Sequence, residues 1–203
     1  MVSLYRMPDQ ATIVLQRDVP LLELAFSAGI ELPSFTMATL DHAIRLIRPG
    51  DRDAVARLIR TVMPEFGAKG PGFAINDPEV DDMFGAYQEE RSAYFVVTLQ
   101  GEDIVLGGGG YAPLAGGDRD TCELRKMYFL PELRGLGLGR RVLAECLDGA
   151  RRAGFATMYL ETLAAMSQAR ALYERSGFEP LERPLGSTGH FGCNSFYARD
   201  LRS

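Results

Sequence analysis

An α/β fold built on one mixed sheet is predicted by three observations. From about residue 43 onward, β-prone runs alternate with stretches of helical periodicity. Several of those runs follow one another with only a turn between them, which a purely parallel sheet does not permit. A glycine-rich turn, Gly135-Leu136-Gly137-Leu138-Gly139, joins a strand to a helix, and that is where α/β proteins hold anions.

Residues 43–48 read as a short strand, followed by Pro49-Gly50 and an expected N-cap at Asp51. Val55, Leu58, Ile59 and Val62 recur at helical spacing until Pro64 ends the pattern. Asp77-Pro78 is expected to open a second helix, with Val80, Met83, Phe84 and Tyr87 on one face. Residues 93–99 form a strongly β-prone run, and Gln100-Gly101-Glu102-Asp103 turns the chain into a strand over residues 104–111. Gly107, Gly108, Gly109 and Gly110 lie inside that strand and predict a bulge or a close backbone approach.

The next strand covers residues 122–129. Its apolar residues fall at Cys122 and Leu124, then at Met127 and Phe129, and this phase slip around Arg125-Lys126 predicts one extra residue, a β-bulge. Val142, Leu143, Cys146, Leu147, Ala150 and Ala153 make an amphipathic helix closed by Gly154. Residues 157–160 are a strand. Ser167 is expected to cap a short helix that runs through Ser176 and stops at Gly177, and residues 196–201 form a last strand.

Bulk properties bound the function. The 203 residues suit one domain with an appendage, so residues 1–42 are read as an N-terminal extension and residues 43–203 as the main domain. A formal net charge of -5 gives no global pull toward nucleic acid or an anionic membrane. No apolar run reaches the roughly 20 residues of a membrane span, and the N-terminus lacks a signal pattern, so a cytoplasmic protein is expected. Cys122, Cys146 and Cys193 show no paired spacing, and the only histidines are His42 and His190, so neither a disulfide framework nor a metal centre is expected.

The glycine-rich turn is an anion site on physical grounds. Its glycines let the backbone present N–H groups inward, the helix N-terminus adds positive partial charge, and Arg134, Arg140 and Arg141 add full charges. A Walker loop is excluded, because no Gly-Lys-Ser/Thr ending follows. The dinucleotide fingerprint also fails: counted from Gly135 its third glycine would be Arg140, and from Gly137 it would be Val142. Glu161 could imitate a ribose-binding acid, which leaves an NAD-dependent oxidoreductase as a minor alternative.

In this arrangement the chain resembles the GNAT superfamily of N-acyltransferases. Arg134-Gly135-Leu136-Gly137-Leu138-Gly139 is similar to the family's coenzyme A signature, Arg/Gln-x-x-Gly-x-Gly/Ala. The lead-in from Glu123 to Pro131 resembles its fourth strand, and Ala171-Leu172-Tyr173-Glu174-Arg175-Ser176-Gly177-Phe178 resembles its last short helix and Gly-Phe exit. The resemblance covers roughly residues 43–201 and implies a sheet of about seven strands, splayed between the fourth and fifth.

The resemblance further implies that acetyl-CoA is the donor and that backbone groups of Met127, Tyr128 and Phe129 hold its pantetheine arm. Arg134, Gly135, Leu136, Gly137, Leu138, Gly139 and Arg140 would cradle the pyrophosphate. Tyr173 matches the tyrosine that faces the leaving thiolate. Many relatives carry Asn where this chain has Met166, and Ser167 is the expected replacement for its contact to coenzyme A.

The acceptor is expected to be a primary amine of a small molecule or peptide. Such an amine, with a pKa of about 10.4, lies roughly 4 to 5 kcal/mol from its nucleophilic form at neutral pH, so a base is needed. Glu123 is the candidate base, with Glu161 a weaker contender, and His190 is expected to line the acceptor pocket. A coenzyme A-binding sensor or scaffold without turnover is the alternative from another class. The N-terminal run from Leu21 to Pro33 reads as an amphipathic helix that packs on the downstream domain or on a second copy in a homodimer. It is similar to the helix before the cluster loop of plant-type ferredoxins, but no cysteine follows, so no iron–sulfur cluster is implied.

Overall fold

The computed structural model describes residues 41–202. The expectations for the N-terminal run, its helix included, lie outside the described residues. The strands are β1 His42–Leu46, β2 Ala93–Leu99, β3 Val105–Pro113, β4 Thr121–Phe129, β5 Thr157–Thr162, β6 Glu179–Leu181 and β7 Ser195–Asp200. They form one seven-stranded sheet in the order β1-β2-β3-β4-β5-β7-β6. β1 to β4 pair antiparallel, β5 runs parallel to β4, and β7 returns antiparallel between β5 and β6. The mixed sheet is the predicted one. β6 carries no sequence signal of its own, because it is three residues long and includes Pro180, which is tolerated at an edge.

Both predicted irregularities are present. Val97 pairs with Gly107 and Thr98 with Val105, so β3 holds one extra residue there. On the next ladder Gly108 pairs with Tyr128 and Gly110 with Arg125, so two residues of β4, Lys126 and Met127, stand opposite Gly109 alone. Close approach explains the glycine run: a Cβ on Gly109 would meet the Met127 side chain at 2.9 Å, and one on Gly107 would clash with the Phe129 ring, 2.9 Å from Cε1 and closer still to Cδ1.

Helices α1 (Arg52–Val62), α2 (Met83–Ala86), α3 (Leu138–Arg152) and α4 (Ser167–Arg175) flank the sheet. Along β3, alternate residues face opposite ways. Ala112 joins Tyr94 and Val96 in the core built with Val55, Ile59 and Val62 of α1. Gly109 and Tyr111 face the other side, where Val142 of α3 lies against Gly109 and the Tyr111 ring lies against Gly149. The apolar stripe of α3 therefore covers one face, and α1 with the short helices covers the other.

Three local expectations are corrected. Asp51 occupies the residue before α1 but does not cap it. Its buried carboxylate instead takes both arms of Arg45 at 2.6 and 2.9 Å and the Arg48 N–H at 2.7 Å. The second helix is a 3₁₀ turn, Pro78–Asp82, followed by the single α turn of α2, because the Asp82 carboxylate accepts from the Gly85 N–H and caps a new start. Its apolar positions hold even so, with Val80, Met83 and Tyr87 buried. Ser167 is the first residue of α4, not its cap, and makes no capping bond.

The glycine stops behave as read. After α3, Gly154 takes a left-handed φ of 80°, its N–H reaches Arg151 O, and the Phe155 N–H reaches Ala150 O. After α4, the Gly177 N–H bonds Glu174 O and the Phe178 N–H bonds Tyr173 O. These are two Schellman closures, each with its double hydrogen bond. The second one matters for the site, because it brings the Phe178 ring to 5.9 Å from the Tyr173 ring.

Candidate active site

β4 and β5 pair over only three positions, Thr121 with Thr157, Cys122 with Met158 and Glu123 with Tyr159. Beyond Glu123 the strands part, and the β4 edge from Leu124 onward faces a cleft. The bulge sits at this point. Lys126 takes a φ of 50°, a left-handed conformation that costs a non-glycine residue energy and persists only when neighbours hold it. Here its buried ammonium pairs with Asp77 and with Glu79 (2.6 Å), and its carbonyl accepts from the Tyr94 hydroxyl at 3.0 Å. A bulged residue leaves the ladder, so backbone groups at Lys126 and Met127 are turned from the sheet toward other uses.

At the open end of the cleft, Pro131–Leu133 forms one 3₁₀ turn that leads into the glycine-rich loop. Gly135 and Gly137 have φ of 82° and 77°, and Gly137 is the residue immediately before α3. No atom stands within 4 Å of a Cβ built at either, so their role is backbone conformation and an open approach, not packing. The first turn of α3 leaves N–H groups at Leu138, Gly139 and Arg140 without helical partners. The resulting cradle fits a pyrophosphate. Arg140 is exposed beside it, whereas Leu138 points its side chain into the core. The Arg134 guanidinium is turned back: it donates to Phe129 O at 3.2 and 3.1 Å and to Glu65 at 2.8 Å, and lies 5.4 Å from the Phe66 ring centroid. Its side chain braces the loop against the segment after α1.

The cleft is lined on its inner side by Met127, Tyr128, Leu163, Met166 and Tyr173, and it runs to Glu123, His190 and Cys193. Tyr173 is buried against Phe178 and Tyr197, and burial raises its phenol above the ordinary range. Met166 stands where the relatives' Asn would be and accepts from the Thr162 hydroxyl through sulfur at 3.5 Å. Ser167 is exposed and is not among the lining residues, so the structure does not bring it to the cleft. Burial pushes the Cys193 thiol up to about 12, which makes it a poor nucleophile.

A second hollow opens behind Glu123, lined by Asp77, Glu79, Ala115, Arg125, Thr188 and His190. Glu123 is 4% exposed, and it forms the wall between the two. Desolvation pushes its carboxyl up to about 7, opposed by the charges of Arg125 and His190 and reinforced by Glu161. The Arg125 Nε lies 3.6 Å from Glu123, while its Nη2 is 2.5 Å from Glu79. His190 Nε2 lies 2.9 Å from Asp77, and its Nδ1 lies 3.9 Å from Glu123. The Asp77 hydrogen bond raises the His190 pKa above its usual value, more than burial lowers it. Glu161 accepts from Tyr159 (3.0 Å) and Thr188 (2.7 Å), and so holds the His190 loop to β5.

The structure thus gathers Glu123, Tyr173, His190, Met127 and Tyr128 in one place. Phe129 sits at the far end of β4, with its ring over Gly107. Sequence reading missed Asp77, Glu79, Arg125 and Lys126 as members of the site. Asp77-Pro78 was visible only as a helix start, and nothing local says that its carboxylate crosses to β4. The one available signal was the phase slip at Arg125-Lys126, which marked a bulge whose occupant needed a partner.

The comparisons agree with this geometry. The family model described as the Acetyltransferase (GNAT) family matches residues 56–178. The chain is 45% identical over 166 residues to the uncharacterised N-acetyltransferase YjgM of Escherichia coli K12, covering 81% of this chain and 98% of that protein. Among solved structures, a GNAT-family acetyltransferase of Staphylococcus aureus Mu50 superposes with a TM-score of 0.71 at 19% identity, covering 79% of this chain and 99% of that one. An acetyltransferase of Salmonella typhimurium, solved with its cofactor acetyl-CoA, superposes at 0.62 and 20% identity, covering 79% and 94%. A splayed mixed sheet with an anion cradle opening α3 defines an acyltransferase domain. The chain belongs to the GNAT acetyltransferase family.

Proposed function

We propose that this acetyltransferase moves an acetyl group from acetyl-CoA to a primary amine of a small molecule or peptide, by direct attack in a ternary complex in the cytoplasm. The observation that carries the reading is the position of Glu123. It closes the cleft at the point where β4 and β5 part, opposite Tyr173 and beside a second hollow through which an acceptor can enter.

Acetyl-CoA supplies an activated thioester when bound. Gly135, Gly137 and the first N–H groups of α3 would hold its pyrophosphate, and the bulged edge at Met127 and Tyr128 would hold the pantetheine arm. An N–H of that edge would polarise the thioester carbonyl. Glu123, raised to about 7, is matched to taking a proton from an ammonium near neutral pH. The free amine would then attack the carbonyl carbon, and Tyr173 would give its proton to the sulfur as the C–S bond breaks; the new amide nitrogen sheds its surplus proton, which restores the phenol. Burial keeps that phenol protonated, so its hydrogen is available to the sulfur as the C–S bond breaks.

A panel of primary amines tested for release of free coenzyme A, with the acetylated product identified by mass, tests the proposal. Coenzyme A release that depends on an amine, together with an N-acetyl product, supports it. A protein that binds acetyl-CoA yet releases nothing across the panel is instead a sensor or scaffold.

A further inference from the structure

His190 has no assigned part in the chemistry above, yet its surroundings are built with care. The loop that carries it is tied on three sides. Ser187 N–H bonds Ala115 O at 2.6 Å, the Thr188 hydroxyl bonds Glu161 at 2.7 Å, and Gly192 N–H bonds Gly72 O at 3.0 Å. The imidazole ends between two carboxylates from different elements, Asp77 at 2.9 Å from Nε2 and Glu123 at 3.9 Å from Nδ1. Its side chain is 9% exposed, so these contacts and not solvent decide its orientation.

We propose that Asp77, His190 and Glu123 form a proton relay, in which Asp77 positions His190 and His190 carries away the proton that Glu123 takes from the acceptor. The inference rests on the N-acetyl transfer reading above. Asp77 can only accept from the imidazole, so Nε2 carries the hydrogen and Nδ1 presents its lone pair toward Glu123. The acceptor ammonium gives a proton to the Glu123 carboxylate, which becomes a carboxylic acid. Its O–H is one side-chain adjustment from Nδ1 and passes the proton on, restoring the carboxylate and leaving an imidazolium held by Asp77. The imidazolium returns a proton to solvent through the outer hollow that it lines with Thr188. No group is oxidised or reduced, and each donor regains its starting state.

Both groups are biased toward holding a proton. Burial pushes Glu123 up to about 7, and the Asp77 hydrogen bond lifts His190 above its usual value near neutrality. Other charged and titratable groups facing the relay are Arg125, Lys126 and Tyr128 on β4, Glu161 and Tyr159 on β5, Cys193 on the His190 loop, and Tyr87 and Glu79 from the segment around α2. Lys126 opposes charging of His190, and Asp77, paired to both, offsets it.

Because the chain has only two histidines, imidazole nitrogen NMR reads His190 directly, with His42→Gln assigning the other signal. We expect neutral His190 as a single Nε2–H tautomer, with a titration curve that carries a second inflection from Glu123. Glu123→Gln removes that inflection, and Asp77→Asn lowers the His190 pKa and mixes the tautomers. In turnover, His190→Gln and Asp77→Asn each lower kcat about tenfold or more with the KM for acetyl-CoA unchanged, and the double variant loses no more than either alone. Since Asp77 also holds Lys126, His190→Gln is the variant that leaves that ion pair intact. Mixed tautomers in the wild type, a His190 titration indifferent to Glu123→Gln, or unchanged kcat in His190→Gln overturns the relay. Failure of the functional reading shows separately, as a wild type without turnover on any amine.

Discussion

Replacing Glu123 by Gln tests both the base and the cause of its raised pKa. The folded carboxyl sits at about 7 against an ordinary 4.5, so the folded state binds more protons than the unfolded chain between those values. Stability from this group is therefore fully present below about pH 4.5 and is lost as pH rises through about 7. At about 1.4 kcal/mol per unit, the shift amounts to about 3 kcal/mol of destabilisation at pH 8. Glu123→Gln removes the ionisation, so the variant should match the wild type near pH 5 and melt several degrees above it at pH 8. Catalysis should move the other way. Below about pH 7 the wild-type kcat/KM should fall close to tenfold per unit as the base is protonated, and the variant should show a flat acidic limb with activity reduced about 10²-fold or more. Thermal melts at the two pH values, together with a kcat/KM profile for one good acceptor, measure both effects. A stability difference that does not grow with pH refutes the burial argument, and an unchanged acidic limb refutes Glu123 as the base.

Other expectations follow from the same geometry. Tyr173→Phe keeps the ring against Phe178 and Tyr197, so stability should hold while kcat falls about 10²-fold with acetyl-CoA affinity unchanged; full turnover with chemistry rate-limiting would place the thiolate's proton donor elsewhere. Gly137→Glu puts a carboxylate in the anion cradle and a side chain on a φ of 77°, and calorimetry should find acetyl-CoA binding abolished in a protein that still folds. Removing residues 1–39 should leave acetyl-CoA affinity within about twofold of the full chain, because the cradle and cleft are lined, among the described residues, by residues well downstream; a folded truncation that no longer binds would assign the segment to the site.

Much of this protein is legible in its sequence because the signals are local. The phase slip at Arg125-Lys126 marks the β4 bulge, since side-chain alternation has a strict period of two and one extra residue must break it. Gly154 and Gly177-Phe178 mark helix ends, because a left-handed residue and its two hydrogen bonds involve only neighbours in the chain. The glycines of 135 and 137 mark the anion turn for the same reason. Local rules also misled where a distant partner competed. Asp51 has the composition of a cap, but Arg45 and Arg48 claim its carboxylate. Arg134 also has a distant partner, because Glu65 and the Phe129 carbonyl hold its guanidinium beside the proposed cradle.

What only the tertiary structure decides is how Glu123, the proposed base, is grouped with Asp77 and His190. Asp77, Glu123 and His190 are far apart along the chain and belong to a pre-helix turn, a central strand and a late loop. No periodicity relates them, and each alone is an ordinary polar residue. They become a set because the sheet splays beside Glu123, which lets two loops fold over the β4 edge and exclude water from a carboxylate. Desolvation of Glu123 and the 2.9 Å contact from Asp77 to His190 then shift both groups upward. Such shifts depend on burial and separation in space, and these are fixed only when the whole chain has folded.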